Sequence, residues 1–205
     1  MTNSDTNERE IQKRIKEKIR SIPDYPKPGI LFRDITTLLK QPEGVFDSVE
    51  IALEKLGGVK FNKVAGIDSR GFIFGAAISY AQKKGFVPIR KKNKLPGQVI
   101  SEVYDLEYGT DELEIHVDAI DENDQILLVD DLIATGGTAI TAVNLIKRLK
   151  GNVAACCFVV GLPDLGGILK LKQNGVDVIS ICDFDGHWKE AITINEKIWN
   201  HRLEK

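Results

Sequence analysis

The stretch ILLVDDLIATGGT, Ile126 to Thr138, decides the fold of this chain of 205 residues. It opens with a short apolar run, continues with the acidic pair Asp130 and Asp131, and ends in a turn of small residues. The apolar run predicts a buried strand. Because ligands bind at the carboxyl ends of strands in open α/β sheets, the acidic pair is predicted to face a ligand.

The small residues after the acidic pair predict a phosphate-binding turn that opens a helix. Two glycines let backbone amides approach an anion closely, the threonines add hydroxyl donors, and the helix N-terminus contributes a favourable dipole. Two carboxylates beside a phosphate would repel it unless magnesium or ribose hydroxyls lay between them. The stretch therefore favours a sugar phosphate with Mg²⁺ over an ordinary glycine turn with solvent-facing aspartates. The turn comprises Ala134, Thr135, Gly136, Gly137 and Thr138.

Apolar runs alternate with helical patterns on both sides of this stretch. Continuous apolar strands separated by helices indicate a mostly parallel central sheet flanked by helices, the α/β class. Gly151 follows the last helical pattern and is predicted to end it. The predicted strands cover 64–67, 86–89, 125–129, 153–160 and 176–182, and the predicted helices cover about 42–56, 72–84 and 139–150.

Three segments have patterns of their own. Isoleucines at positions 11, 15, 19 and 22 predict an amphipathic helix over about 8–21, within an N-terminal helical segment 1–22. Three prolines in PDYPKPG, 23–29, disfavour both helix and strand pairing and predict an extended approach to Ile30. Partial alternation in SEVYDLEYG and DELEIHVDAI, 101–109 and 111–120, predicts a hairpin.

Composition indicates an ordinary globular protein of one domain, with 42% hydrophobic and 28% charged residues. No apolar run is long enough to cross a bilayer, and the polar start MTNSDTNERE lacks the features of a signal peptide. A cytoplasmic location without a membrane partner is therefore expected. The formal net charge of −2 provides no general attraction to nucleic acid. Cys156, Cys157 and Cys182 lie in apolar runs without metal-ligand spacing and are expected to be buried thiols in a reducing compartment.

The deciding stretch resembles the phosphoribosyl pyrophosphate signature of the type I phosphoribosyltransferases. Four further motifs are similar to those of the adenine phosphoribosyltransferases within that family. The resemblance covers about residues 22–162, in the family's order and without insertions. The motifs are PDYPKPGILFRDIT at 23–36, GIDSRGFIFG at 66–75, IRKKNKLPG at 89–97 and LEYGTDELEIHVDAI at 106–120.

The resemblance implies a fold, a reaction and partners. The fold would be a single phosphoribosyltransferase domain over 1–205, with a flexible hairpin lid and a C-terminal extension over about 183–205 that contains Trp188 and Trp199. The reaction would join adenine to the ribose 5-phosphate of phosphoribosyl pyrophosphate, giving AMP and pyrophosphate, with Mg²⁺ as cofactor. The family also implies a homodimer.

The resemblance assigns roles to the residues that contact phosphoribosyl pyrophosphate. Asp130 and Asp131 would hold the ribose hydroxyls and the magnesium-bearing diphosphate, and the turn at 134–138 would bind the 5-phosphate. Ser69 and Arg70 would hold the pyrophosphate. The pyrophosphate would also contact two basic residues of the 89–97 motif, Arg90 and Lys94. In the lid, Glu107 is similar to the family's proton-transfer residue, and Tyr108 beside it would contact substrate.

For the base, the resemblance implies that Phe32 stacks on the purine, the Leu31 backbone meets its polar edge, and Arg33 lies close by. Leu162 would line the opposite wall. After the strand at 153–160 the family usually carries a glutamate and later a Gly-Arg pair, where this chain has Gly161 and Gly167-Ile168. Two alternatives stay open. One is the same chemistry on hypoxanthine, guanine or xanthine, and the other is a phosphoribosyl pyrophosphate sensor without turnover, which would need an additional nucleic-acid module.

Overall fold

The computed structural model of the chain describes residues 3–106 and 109–185. The helices are α1 (Asn3–Lys18), α2 (Thr36–Leu39), α3 (Pro42–Leu56), α4 (Gly71–Gln82), α5 (Gly137–Arg148) and α6 (Gly167–Gln173), with a 3-10 turn at Pro163–Leu165. The strands are β1 (Arg20–Pro23), β2 (Leu31–Asp34), β3 (Lys63–Ile67), β4 (Gly85–Lys91), β5 (Val99–Leu106), β6 (Gly109–His116), β7 (Gln125–Ile133), β8 (Asn152–Gly161) and β9 (Val178–Asp183).

Seven strands form the central sheet, in the order β5-β6-β4-β3-β7-β8-β9. Parallel pairing joins five neighbouring strands, β4, β3, β7, β8 and β9. The β5–β6 hairpin adds an antiparallel edge next to β4. The predicted α/β class is confirmed, as is the hairpin. All five predicted apolar strands are present.

Two hydrophobic clusters cover the two faces of the sheet, because alternate residues of each buried strand point to opposite sides. Leu127 and Val129 belong to the cluster that contains residues of α1, α3 and α4. Ile126 and Leu128 belong to the cluster that contains residues of α5 and α6. Burial on both faces explains why the predicted strands read as continuous apolar runs.

The predicted N-terminal helix over 8–21 is too long at its C-terminal end. Helix α1 stops at Lys18, and Arg20 begins a strand that pairs antiparallel with β2. Thr37 explains the stop, since its hydroxyl donates to the Lys18 carbonyl at 2.7 Å and accepts the Arg20 amide at 3.1 Å. Pro23 pairs with Leu31 at the end of this ladder, so the expectation that the proline segment excludes strand pairing is also wrong at its first residue.

Asp34 joins the short β1–β2 sheet to α2. Its carboxylate accepts hydrogen bonds from the Arg20 guanidinium and from the Thr36 amide and hydroxyl. Burial by itself would raise the pKa of Asp34, but the hydrogen bonds from Arg20 and Thr36 lower it from 3.8 to about 2. The ionised carboxylate therefore stabilises the fold at neutral pH.

The end of α5 also differs from prediction. The helix ends at Arg148, and Lys150 rather than Gly151 takes the left-handed conformation, with φ of 65°. Gly151 packs closely, because a Cβ there would lie 2.7 Å from Ile120 Cγ2 and 3.2 Å from Ile146 Cγ2, so a larger residue would force these side chains to shift.

Cys156, Cys157 and Cys182 are free and buried, as predicted. Burial raises the pKa of the Cys157 and Cys182 thiols to about 12, so both remain protonated. Within residues 3–106 and 109–185, no helix combines the length and apolar character needed to cross a bilayer.

Candidate active site

A cavity of about 470 Å³ opens at the carboxyl ends of β3 and β7. These two strands pair in parallel, which places the segments that follow them side by side. The cavity brings together most of the residues predicted to contact a sugar diphosphate. Its lining comprises Ile67, Asp68, Ser69, Arg70, Lys91, Tyr104, Asp111, Leu113, Asp130, Asp131, Leu132, Ile133, Ala134, Thr135, Gly136, Gly137, Thr138 and Ala139.

Gly71 allows the Ser69–Arg70 segment to pack tightly against the acidic pair. A Cβ at Gly71 would lie 2.7 Å from the Val129 carbonyl oxygen and 2.8 Å from Asp130 Oδ1. Because the Val129 carbonyl oxygen and the Asp130 Cα, at 3.0 Å, both belong to the backbone, a larger residue would push the two segments apart. The motif that follows β3 therefore requires glycine for the assembly of the site.

The acidic pair is more buried than the sequence indicated. Strand β7 continues to Ile133, so Asp130 and Asp131 lie within the strand instead of at its exposed end. Asp131 is only 4% exposed. The Arg70 Nε lies 2.9 Å from Asp131 Oδ2, yet within the described part of the chain this oxygen accepts no hydrogen bond of good geometry.

Burial dominates the electrostatics of this pair. It raises the pKa of Asp130 well above the usual value, and the charge of Asp131 raises it further. Burial also raises the pKa of Asp131, whereas the Arg70 guanidinium opposes that rise. A cation or a set of hydroxyl donors in the cavity would stabilise the ionised pair. The site is therefore built for a ligand that brings one or both.

The turn at 134–138, which is predicted to bind phosphate, is held by a second glycine. Gly136 has φ of 80° and precedes α5, which begins at Gly137. The Gly167 amide donates to the Ala134 carbonyl at 2.9 Å. A Cβ at Gly136 would lie 2.9 Å from Gly167 Cα, and a Cβ at Gly167 would lie 2.3 Å from the Ala134 carbonyl oxygen. Gly167 thus supports the turn, a role that was not predicted from the Gly167-Ile168 pair, which differs from the Gly-Arg pair usual in the family.

The basic residues of the 89–97 motif lie at the end of β4 and just after it, and only part of this cluster faces the cavity. Arg90 and Lys94 do not line the cavity. The Arg90 Nε donates to Asp68 Oδ2 at 3.1 Å, and its Nη1 donates to the Lys94 carbonyl at 3.0 Å. Lys91 lines the cavity in their place, with its Nζ 2.9 Å from Asp111 Oδ2.

Tyr104 connects the hairpin to the phosphate-binding turn and was not predicted. Its hydroxyl donates to Asp111 Oδ2 at 3.3 Å. Burial raises the pKa of Tyr104, and a hydrogen bond with Thr138 opposes that rise. The alternation in SEVYDLEYG could have indicated this position, because it places Tyr104 on the same face of β5 as Glu102. That face contacts α5, since Glu102 accepts a hydrogen bond from Asn144 at 2.6 Å. Glu107 and Tyr108 lie outside the described residues.

The residues predicted to bind the base lie outside the cavity, and Phe32 among them contacts Arg70. Phe32 is half-buried, with its ring centroid 5.1 Å from that of Tyr25 and 5.6 Å from the Arg70 Cζ. Leu31, Arg33 and Leu162 are buried. None of these predicted base-binding residues lines the cavity. The two groups meet at Arg70, and the Leu162 amide also donates to the carbonyl of the cavity-lining Ile133 at 3.0 Å.

A phosphoribosyl transferase domain model matches residues 34–193. The chain is 56% identical over 174 residues to the adenine phosphoribosyltransferase of Leptospira biflexa, covering 84% of this chain and 98% of that one. The chain belongs to the adenine phosphoribosyltransferase family.

Solved structures of family members have the same fold. The adenine phosphoribosyltransferase of Thermoanaerobacter pseudethanolicus shares 45% identity with a TM-score of 0.81, over 84% of this chain and 99% of that one. The enzyme of Saccharomyces cerevisiae, in complex with adenine and an imino-altritol bisphosphate, shares 34% identity with a TM-score of 0.78 over the same fractions. The type I phosphoribosyltransferase fold expected from the motifs is confirmed.

The donor set suits the magnesium ion that this family implies. In the described segments, no group of three or more histidine, cysteine or acidic side chains forms a metal cage. Mg²⁺ is commonly bound through one or two carboxylates together with substrate phosphates. Asp130 and Asp131 provide that kind of incomplete site, since within the described residues Oδ2 of Asp131 is paired with Arg70 but accepts no hydrogen bond of good geometry.

Proposed function

We propose that this family member transfers the 5-phosphoribosyl group from phosphoribosyl pyrophosphate to adenine, giving AMP and pyrophosphate. The observation that carries the proposal is one cavity shared by the acidic pair, the phosphate-binding turn and the Arg70 segment. Each part suits a different group of one sugar diphosphate. The purine then approaches from the side of Phe32.

The turn at 134–138 would bind the 5-phosphate through backbone amides and threonine hydroxyls at the N-terminus of α5. Asp130 and Asp131 would accept hydrogen bonds from the ribose hydroxyls. The backbone of Ser69 and the guanidinium of Arg70 would hold the pyrophosphate. Lys91, which lines the cavity, would add positive charge on the same side.

Displacement at the anomeric carbon requires stabilisation of the leaving pyrophosphate and alignment of the base. Arg70 would stabilise the leaving group. Mg²⁺, held mainly through the substrate and near Asp130 and Asp131, would neutralise charge on the diphosphate when bound. Two positive partners in a site that excludes water act more strongly than the same charges in solvent.

The hairpin β5–β6 would act as a lid over this reaction. Tyr104 lines the cavity and is hydrogen-bonded to Thr138, which connects β5 to the turn at 134–138. Closure would exclude water from the ribose centre, which would otherwise hydrolyse. We propose that Glu107 manages the proton at the imidazole edge of the base and that Tyr108 contacts substrate. Arg90 and Lys94 would contact pyrophosphate once their contacts with Asp68 and with each other rearrange.

Selectivity for adenine would come from the polar edge of the base and not from stacking. Phe32 can stack on any purine, with Leu162 on the opposite wall and Arg33 alongside. A backbone carbonyl near Leu31 would accept a hydrogen bond from the 6-amino group, whereas a 6-oxo purine would present a second acceptor there. Sites built around such a bond reject the wrong partner by about 10⁴- to 10⁵-fold.

We also propose a single domain over 1–205 that forms a homodimer in the cytoplasm. The dimer is carried over from the family, and Ile73 and Tyr80, which lie on one face of α4 and are 40% and 89% exposed, are compatible with it. The three free cysteines support a reducing compartment.

The experiment that tests the proposal compares kcat/KM for adenine and hypoxanthine with phosphoribosyl pyrophosphate, in the wild type and in Phe32→Ala. Loss of stacking worth about 1 to 3 kcal/mol should lower adenine use by about 5- to 150-fold and preserve the preference for adenine. Equal use of hypoxanthine by the wild type would refute the choice of adenine. Binding of phosphoribosyl pyrophosphate without turnover of any purine would favour the sensor alternative.

A further inference from the structure

Phe184 follows β9 directly and contacts two cations. Its side chain is buried, with 5% exposure. The Arg33 Cζ lies 4.1 Å from the centroid of the Phe184 ring, and the Lys16 Nζ lies 4.6 Å from it. The aromatic ring therefore lies between the end of α1 and strand β2.

The Arg33 contact is the stronger of the two by burial. Arg33 is 3% exposed, so its guanidinium has lost nearly all of its water. Its Nη1 donates to the hydroxyl of Ser21. A buried cation needs compensating partners, and the electron-rich face of an aromatic ring is one of them. Lys16 is solvent-exposed, where the same kind of contact contributes less.

The backbone of Phe184 reaches the opposite wall of the proposed base pocket. Its amide donates to the Gly161 carbonyl at 3.0 Å, and Gly161 immediately precedes Leu162. A Cβ at Gly161 would lie 2.1 Å from Asp183 Oδ1, so the end of β8 lies tightly against the segment that carries Phe184. One residue thus contacts β2 through its ring and the end of β8 through its amide.

We propose that Phe184 is a positioning residue for the purine site, which holds Arg33 beside Phe32 and fixes the distance between β2 and Leu162. The inference rests on the proposed function, because it assigns those residues to the base. Phe184 itself lies outside the lining of the cavity, and the two cations on its ring, Lys16 and Arg33, lie outside that lining as well. Its loss should therefore affect the base and spare the sugar diphosphate.

The test measures KM for each substrate and kcat in Phe184→Leu, which keeps a buried apolar side chain but has no aromatic face. We expect KM for adenine to rise by about 3- to 30-fold, the range for loss of a desolvated cation–π contact. KM for phosphoribosyl pyrophosphate should stay within about twofold. Phe184→Tyr keeps the ring and should restore adenine KM. Lys16→Met removes the exposed cation from the same ring and should leave adenine KM unchanged.

A thermal unfolding curve for each variant separates positioning from stability. Phe184→Met, which fills an irregular space with a flexible chain, provides a second ring-free variant. Equal rises in both KM values, an unchanged adenine KM in a folded ring-free variant, or failure of both ring-free variants to fold would each overturn the proposal. A wild type that does not use adenine would instead refute the proposed function, whatever the variants do.

Discussion

Replacing Gly136 with alanine should weaken binding of phosphoribosyl pyrophosphate and leave the protein folded. Gly136 has φ of 80°, a left-handed conformation that costs a residue with a Cβ about 1 to 2 kcal/mol. The new Cβ would also lie 2.9 Å from Gly167 Cα, closer than real Cβ contacts allow. The turn must therefore move away from Gly167 or change its backbone conformation.

Either movement acts on the bound anion, because the same backbone amides form the phosphate-binding turn. If the strain is relieved only when the turn leaves its binding geometry, the strain energy of about 1 to 2 kcal/mol alone corresponds to about a 5- to 30-fold loss of affinity. The contact with Gly167 adds to it, so we expect the dissociation constant to rise at least about tenfold. Gly136→Val, with a branched Cβ, should abolish measurable binding.

Gly175→Ala provides the matched control. Gly175 has φ of 73°, but no atom lies within 4 Å of the position of a Cβ, and it lies outside the cavity. Titration calorimetry with magnesium phosphoribosyl pyrophosphate, together with thermal unfolding, measures both effects. The Gly175 variant should lose some stability and keep its affinity. Wild-type affinity in Gly136→Ala, or an equal loss of affinity in the control, would refute the assignment of the turn.

Three other predictions address charge and proton transfer. Asp130→Asn with Asp131→Asn should fold, because it removes two carboxylates whose pKa is raised by folding, but should lose magnesium-dependent affinity in the same calorimetric assay. Glu107→Gln should lower kcat by about 10²- to 10⁴-fold with little change in either KM, and near-normal turnover would make Glu107 a structural lid residue. Asp34→Asn should lower the free energy of unfolding at pH 7. Because folding lowers the pKa of Asp34 from 3.8 to about 2, the difference from wild type should vanish as the pH falls through that range, and a constant difference would contradict the ionic role.

A helix or strand was predictable from the sequence where the residues that form it and the residues that end it lie in the same stretch. The run before Asp130 is buried on both faces, so its residues are apolar without interruption. The end of α1 was not predictable, because the isoleucine spacing continues through Ile22 while the residue that stops the helix is Thr37. A periodic pattern indicates which side chains are buried but not where the helix ends. Ile19 is buried although it lies after the last residue of α1.

The same distinction holds for the site. The acidic pair and the turn at 134–138 are contiguous, so their chemistry could be inferred from one motif. Tyr104, Lys91 and Gly167 come from three separate elements, and only the folded sheet brings them to the cavity or its turn. The depth of Asp131 was also beyond the sequence, because it depends on β7 continuing past the aspartates between its neighbouring strands.

Arg70 and Arg33 divide the site into two ends that respond differently to perturbation. The Arg70 guanidinium lies 2.9 Å from the Asp131 carboxylate but 5.6 Å from the centroid of the Phe32 ring, near the distance at which a cation–π contact fades. The Arg33 guanidinium lies 4.1 Å from the Phe184 ring and is buried. The Arg70 guanidinium is therefore coupled more strongly to Asp131 than to Phe32, and the Arg33 guanidinium is coupled to Phe184. Under the proposed function, a change at Phe184 should act mainly on the purine and little on the sugar diphosphate, which is why separate KM values can distinguish positioning of the base from general loss of stability.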